Sequence, residues 1–178
     1  MKKTALALLA LLCLLLALTC LVSCAKKDEF SPPTGMKLAT DEQATFHFYV
    51  PEAWTVDYST AAAGAYYSLS DPSSVSVMAW ELPNTDSTVD DWWELNVGEI
   101  EKVFSDVAVE SAENATVDGV YAKKYTYTAT LGEYAYRFQQ VAAIKDGAVY
   151  LFTYTSLPEN FDKHLEDVGQ MLEFLLLR

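Results

Sequence analysis

Few residues in this 178-residue chain could do chemistry, and most of those stand alone. The cysteines are Cys13, Cys20 and Cys24, all near the start. The histidines are His47 and His164, with no metal-ligand spacing around either, so both read as structural residues. Asp86, Asp90, Asp91 and Glu94 form the densest acid cluster. Closely spaced oxygen ligands could hold Ca²⁺, but the EF-hand pattern and its glycine are missing. Acids also belong in the first turn of a helix, where the macrodipole favours negative charge. Trp92-Trp93 and the tyrosines Tyr58, Tyr66, Tyr67, Tyr134 and Tyr136 invite a different reading, carbohydrate or peptide binding. Exposed Trp and Tyr make good anchors for a partner. Trp92, Tyr66 and Tyr67 are the partner-binding candidates. Serine-nucleophile elbows and Gly-rich phosphate loops are absent. Hence no catalytic residue, no metal and no cofactor is expected.

Cys24 is the exception. Met1-Lys2-Lys3 is a short positive region, and Ala5 to Val22 is apolar without a charge. Leu21-Val22-Ser23-Cys24 then places a small residue directly before a cysteine, as in the bacterial lipobox. The segment resembles the signals cut by the lipoprotein signal peptidase. That implies cleavage before Cys24 and a diacylglycerol thioether on its sulfur. Two acyl chains hold firmly where one is marginal, at about 0.8 kcal/mol per buried methylene. An uncleaved membrane-spanning helix is the competing reading, since the run is about long enough to span. Ala25 to Gly35 is polar, with Pro32-Pro33 and Gly35, and reads as a tether. The expected organisation is therefore a signal over 1–23, a lipidated cysteine and tether over 24–35, and one domain over 36–178. The expected location is the extracytoplasmic side of the cell membrane.

Charge narrows the partners. Twelve Lys and Arg oppose 25 Asp and Glu, for a formal charge of -13. Cleavage would also remove Lys2 and Lys3, leaving -15. Nucleic acid is excluded as a partner, because phosphates must be neutralised by Lys and Arg. Anionic headgroups would repel the same surface. With Cys13 and Cys20 removed with the signal, Cys24 is the one thiol left, so no disulfide framework is expected.

The elements follow from periodicity. Gln43 to Val50 alternates as one strand, with Phe46, Phe48 and Val50 on one face and His47 on the other. Trp54 to Tyr58 is extended, and Ala61 to Gly64 reads as a loop. Ala65 to Ser70 and Ser74 to Glu81 form a hairpin about Asp71-Pro72-Ser73. Thr88 with Asp91 is an N-cap for a helix over 89–105, with Trp93, Val97, Ile100 and Phe104 as its apolar stripe. That stripe leaves Trp92 at the margin or exposed. Strands over 107–117, 121–130, 134–145 and 148–156 follow, and Asp146-Gly147 is the strongest hairpin signal. A last helix begins at Pro158, with the stripe Phe161, Leu165, Val168, Leu172 and Leu175, before an extended tail. Tyr150, Phe152 and Tyr154 alternate with Val149 and Leu151, so the sheet needs cover on both faces. The fold class is α+β, a central antiparallel sheet sandwiched by helices.

Phe46-His47-Phe48-Tyr49-Val50-Pro51-Glu52-Ala53-Trp54 resembles the opening of the Mog1/PsbP-like superfamily. Val117-Asp118-Gly119-Val120-Tyr121-Ala122, the hairpin at Asp146-Gly147, and Tyr150 to Thr155 with Pro158-Glu159-Asn160-Phe161 are similar to it as well. The likeness spans most of 37–176. It implies an antiparallel sheet between helices and a role mainly in binding or accessory work. No functional residue carries over, because no functional motif is shared. The expected function is thus a membrane-anchored, non-catalytic module for a protein partner. The alternative is a lipoprotein that binds a small molecule or glycan.

Overall fold

Apolar alternation, tight Asp-Gly turns and two apolar helical stripes build a sheet with a helix on each side. The computed structural model describes residues 31–40, 44–59 and 63–178. Cys24, the expected signal and most of the expected tether lie outside the described residues. Three short strands come first: β1 (Met36–Leu38), β2 (Phe46–His47) and β3 (Tyr49–Pro51). β4 (Thr55–Val56), β5 (Ala63–Tyr66) and β6 (Ser74–Glu81) precede helix α1 (Val89–Val103). Four long strands follow: β7 (Ser105–Val117), β8 (Val120–Leu131), β9 (Tyr134–Lys145) and β10 (Ala148–Ser156). The short helix α2 (Pro158–Phe161), a 3₁₀ turn (Asp162–His164), helix α3 (Leu165–Glu173) and β11 (Leu176–Leu177) close the chain.

Seven strands form the main sheet in the order β4-β5-β6-β10-β9-β8-β7, and their pairings are antiparallel. Asp146 and Gly147 both take positive φ, the geometry of a two-residue turn matched to strand twist. A side chain at Gly147 would press on Thr85, 3.0 Å from an added Cβ, because the loop after β6 crosses this turn. β7 is a long edge strand. Two register shifts, Glu110 and Glu113 blunt it against further pairing.

The two faces of β10 show the layering. Val149 and Leu151 pack with Ala142, Val89 and Trp92 under α1. Tyr150, Phe152 and Tyr154 point the other way and pack with Phe161, Val168 and Met171. Each face therefore has its own helix, as expected of an α+β sandwich.

Three expectations are corrected. The single strand over 43–50 is two short strands. β2 pairs with β11 and β3 with β1, so Phe46, His47, Phe48, Tyr49 and Val50 are all buried. The loop assigned to 61–64 begins strand β5 by Ala63. In the last helix, Leu165 is partly exposed and the buried line is Phe161, His164, Val168, Met171 and Leu175. The 3₁₀ turn causes this shift, since three residues per turn bring His164 beneath Phe161.

Candidate functional site

The main polar constellation is one that the sequence does not announce. His164 Nε2 stands 2.9 Å from Asp71 Oδ2, and Ser73 donates its hydroxyl to Asp71 Oδ1 at 2.6 Å. Ser73 and Ser156 hydroxyls lie 2.7 Å apart. Beside them Trp54 donates its indole N–H to Asp167 Oδ2 at 2.7 Å, and the Tyr67 ring packs 4.3 Å from His164. Serine, histidine and aspartate thus meet, but in the wrong order for nucleophilic catalysis. A relay needs histidine between serine and aspartate. Here the aspartate is central, and Ser73 is fully buried where no substrate reaches it. Burial pushes the Asp71 carboxyl up, but bonds from Ser73 and His164 outweigh it and hold Asp71 below the usual carboxylate range. The network braces the β5–β6 turn against the last helical segment.

The acid cluster is likewise spent on local structure. Thr88 and Asp91 form a reciprocal capping box at the start of α1. The Thr88 bonds hold the Asp91 carboxyl below its ordinary range. Asp90 pairs with Lys123 at 3.2 Å on β8. Asp86 lies in the preceding loop and Glu94 on the exposed side of the helix. Among the described residues, no group of three or more His, Cys, Asp or Glu could hold a metal ion.

α1 is rotated from its expected phase. Trp92 is only 7% exposed and meets Trp80 of β6 at 6.1 Å. Trp93 is half-buried and stacks flat on Tyr125 of β8, 3.6 Å apart and 3° from parallel. Burial first, and then Asp90, push the Tyr125 phenol up to about 12. Both tryptophans serve the seam between helix and sheet, so the expected exposure of Trp92 is not found.

What α1 leaves uncovered is the more open surface. The helix lies over β10, β9 and β8 and reaches β6 only at Trp80. On that same face, Ser74 and Ser76 of β6 stand in register with Tyr66 and Gly64 of β5, and Met78 and Trp80 continue the row beyond the end of β5. Among the described residues no helix packs on Ser74, Ser76 or Met78, whereas Trp80 borders the footprint of α1 through Trp92. Met78 is 50% exposed and Trp80 is 37% exposed. A shallow depression of about 350 Å³ sits here, lined by Tyr66, Met78, Ser74, Ser76 and the carboxylate-bearing Asp57. This surface can offer an aromatic ring, a thioether, hydroxyls and one carboxylate to a ligand.

The structure places the tyrosine candidates in different settings. Tyr66 lines the depression, half-buried. Tyr67 is on the other face of the sheet, between Trp54 and His164. Tyr58 and Tyr134 are exposed, the latter at the tip of the β8–β9 turn. His47 is buried beside Tyr49 and Arg178, where burial and the Arg178 charge lower its proton affinity. Sequence reasoning missed Met78 and Trp80. The signal was there: Val75, Val77 and Ala79 alternate with Ser74, Ser76, Met78 and Trp80.

The sequence matches no family model and no curated protein. Solved structures do match its fold. The cyanobacterial PsbP (CyanoP) of Synechocystis sp. PCC 6803 superposes with a TM-score of 0.60 at 15% identity, covering 84% of this chain and 96% of that one. The Saccharomyces cerevisiae Ran-binding protein Mog1p gives 0.58 at 9% identity, over 80% and 95%. A Pseudomonas aeruginosa protein of unknown function, PA94, gives 0.58 at 18% identity, over 80% and 97%. The chain has the Mog1/PsbP-like fold.

Proposed function

We propose that this chain is a non-catalytic binding module of the cell envelope, held at the membrane by lipid on Cys24, that engages a protein partner. The observation that carries the reading is the helix-free part of the sheet, where Tyr66 and Met78 share one open face bordered by the half-exposed Trp80. Apolar and aromatic side chains cost free energy when left in water, and partners are anchored by such groups. The internal polar groups support the same reading, because Asp71, Ser73, Ser156 and His164 are engaged with one another. The fold itself sets no function. Among proteins of this fold, the yeast Mog1p is described as Ran-binding, which suits a protein-binding role.

A second reading, binding of a glycan or small molecule, is favoured by the depression. Tyr66 could stack there while Ser74, Ser76 and Asp57 bond to hydroxyls.

Crosslinking on intact cells followed by mass spectrometry tests the first reading. A reproducible protein crosslinked to the chain is expected, and its absence under conditions that trap other envelope complexes sinks the proposal. Anchoring is tested separately with labelled fatty acid. Cys24→Ala should abolish the label and leave an uncleaved precursor, and label on that variant would refute the site.

A further inference from the structure

The sheet has two ends, and the turns at one of them carry exposed apolar side chains. Ser74 of β6 is in register with Thr155 of β10, Thr155 with Phe138 of β9, and Phe138 with Tyr127 of β8. Past that row lie the β5–β6 turn and the turn that joins β8 to β9 between Leu131 and Tyr134. α1 ends on the same side, since Ile100 packs with Tyr127, Ala129 and Phe138, and Ser105 is in register with Thr130. Leu69, Val103, Leu131 and Tyr134 therefore stand at one end of the molecule, 95%, 63%, 47% and 64% exposed. The turns at the other end, Asp118-Gly119 and Asp146-Gly147, present aspartates instead.

Leu69 is the extreme case. The polar side chains of its turn are spent on one another. Ser68 Oγ accepts the Asp71 amide, the Ser68 and Ser70 hydroxyls lie 3.2 Å apart, and Asp71 accepts from Ser73. His164 braces Asp71 from the last helical segment. The turn is thus tied down while its leucine stands in water, which costs free energy until something apolar receives it.

The N-terminal chain arrives at this end as well. Met36 is in register with Pro51, the Gly35 carbonyl accepts the Glu52 amide at 3.0 Å, and the Trp54 amide turns back to the Pro51 carbonyl. Thr55 then pairs with Tyr66, whose other partner is Ser74 of the row above. Pro33, whose carbonyl accepts the Met36 amide, is nine residues from Cys24. Nine residues reach about 30 Å at most, whatever their conformation. Lipid on Cys24 would therefore keep this end close to the bilayer at high effective concentration, where weak insertion suffices.

We propose that this end of the domain seats on the bilayer, with Leu69 and Tyr134 entering the boundary between headgroups and acyl chains. The inference rests on the lipid anchoring of the proposed function and adds the orientation of the domain. Leucine gains there by leaving water, and tyrosine favours the boundary because its ring is apolar and its hydroxyl polar. Glu101, Asp106 and Glu133 are exposed around the same turns, so the surface suits neutral headgroups rather than anionic ones. The strands then rise from the membrane, and the bare face of β5 and β6 stays open to a partner beside it.

Fluorescence quenching tests the seating on the full acylated chain, in phosphatidylcholine vesicles that hold lipids brominated high on the acyl chains. A fluorophore is attached through Ser70→Cys, through Glu133→Cys or, in the loop after β6 at the opposite end, through Asp86→Cys. Cys24 is blocked by its own lipid. The first two labels should be quenched and the third should not. Leu69→Gln with Tyr134→Gln should remove most of that quenching, and phosphatidylglycerol in the vesicles should reduce it. Equal quenching at the three sites, quenching at none, indifference to the double variant, or stronger quenching with phosphatidylglycerol overturns the proposal. If labelled fatty acid is found on Cys24 while the fluorophores stay in water, the anchoring stands and the seating alone falls. If no fatty acid reaches Cys24, both fall.

Discussion

His164 Nε2 lies 2.9 Å from Asp71 Oδ2, joining the β5–β6 turn to the last helical segment across 93 residues of sequence. Both side chains are largely buried, at 7% and 16% exposure, so the pair is costly to break from one side. Replacing His164 with alanine leaves Asp71 short of a partner and opens space beneath Trp54 and Tyr67. A loss of about 2–4 kcal/mol is expected in chemical denaturation. Asp71→Asn keeps the shape and should cost less, about 1–3 kcal/mol. The double variant should fall short of the sum by about 1–2 kcal/mol, because one interaction cannot be lost twice. Strict additivity would show that the two groups do not interact.

The same carboxylate gives a pH signature. Its proton affinity is lowered in the fold, with Ser73 and His164 outweighing burial. A depressed carboxyl stabilises the fold fully above its unfolded pKa, about 3.9, and loses that contribution as pH falls through the folded value. Asp91 and Glu113 are shifted in the same direction by Thr88 and Lys124. The stability gap between the wild-type chain and Asp71→Asn should therefore be constant at neutral pH and narrow below about pH 4. A gap that persists unchanged to pH 2 would contradict the shift.

Local signals were legible in the sequence wherever the physics is local. The Thr88–Asp91 box, the Asp146-Gly147 turn and the alternation of Tyr150, Phe152 and Tyr154 each depend on neighbours a few residues away. Helix phase was legible in part: Ile100, Trp93 and Phe104 pack on the sheet as their spacing predicts, but that spacing does not foretell the burial of Trp92. Trp92 and Trp93 are equally apolar, and what buries Trp92 is Trp80, on a strand that the periodicity of α1 cannot see. His164 turned inward because a 3₁₀ turn separates α2 from α3, and its partner Asp71 is remote. The open surface was hidden for the same reason. Met78 and Trp80 show their strand face in the sequence, but the footprint of α1 decides which part of that face stays bare.

Thr88 is a direct test of the helix start. Its side chain accepts from the Asp91 amide at 3.1 Å, while Asp91 accepts from the Thr88 amide at 3.0 Å. Thr88→Ala removes half of this exchange and should cost about 1 kcal/mol. Thr88→Ser should retain most of the stability, since its hydroxyl can make the same bond. If the alanine and serine variants melt together, the cap contributes nothing.

Trp92 and Leu95 contrast a buried with an exposed apolar position on one helix. Trp92 is buried against Trp80, Val149 and Leu151, so Trp92→Ala should leave a cavity and cost about 3–5 kcal/mol. Leu95 is exposed one turn further along, and exposed substitutions usually stay within about 0.5 kcal/mol. Leu95→Gln should therefore melt with the parent chain. The fold keeps Trp92 for its own packing and leaves Leu95 in solvent. If Leu95→Gln proves as destabilising as Trp92→Ala, Leu95 belongs to the core. If Trp92→Ala is harmless to stability, the rotation of α1 is wrong and Trp92 returns as the exposed anchor that the sequence suggested.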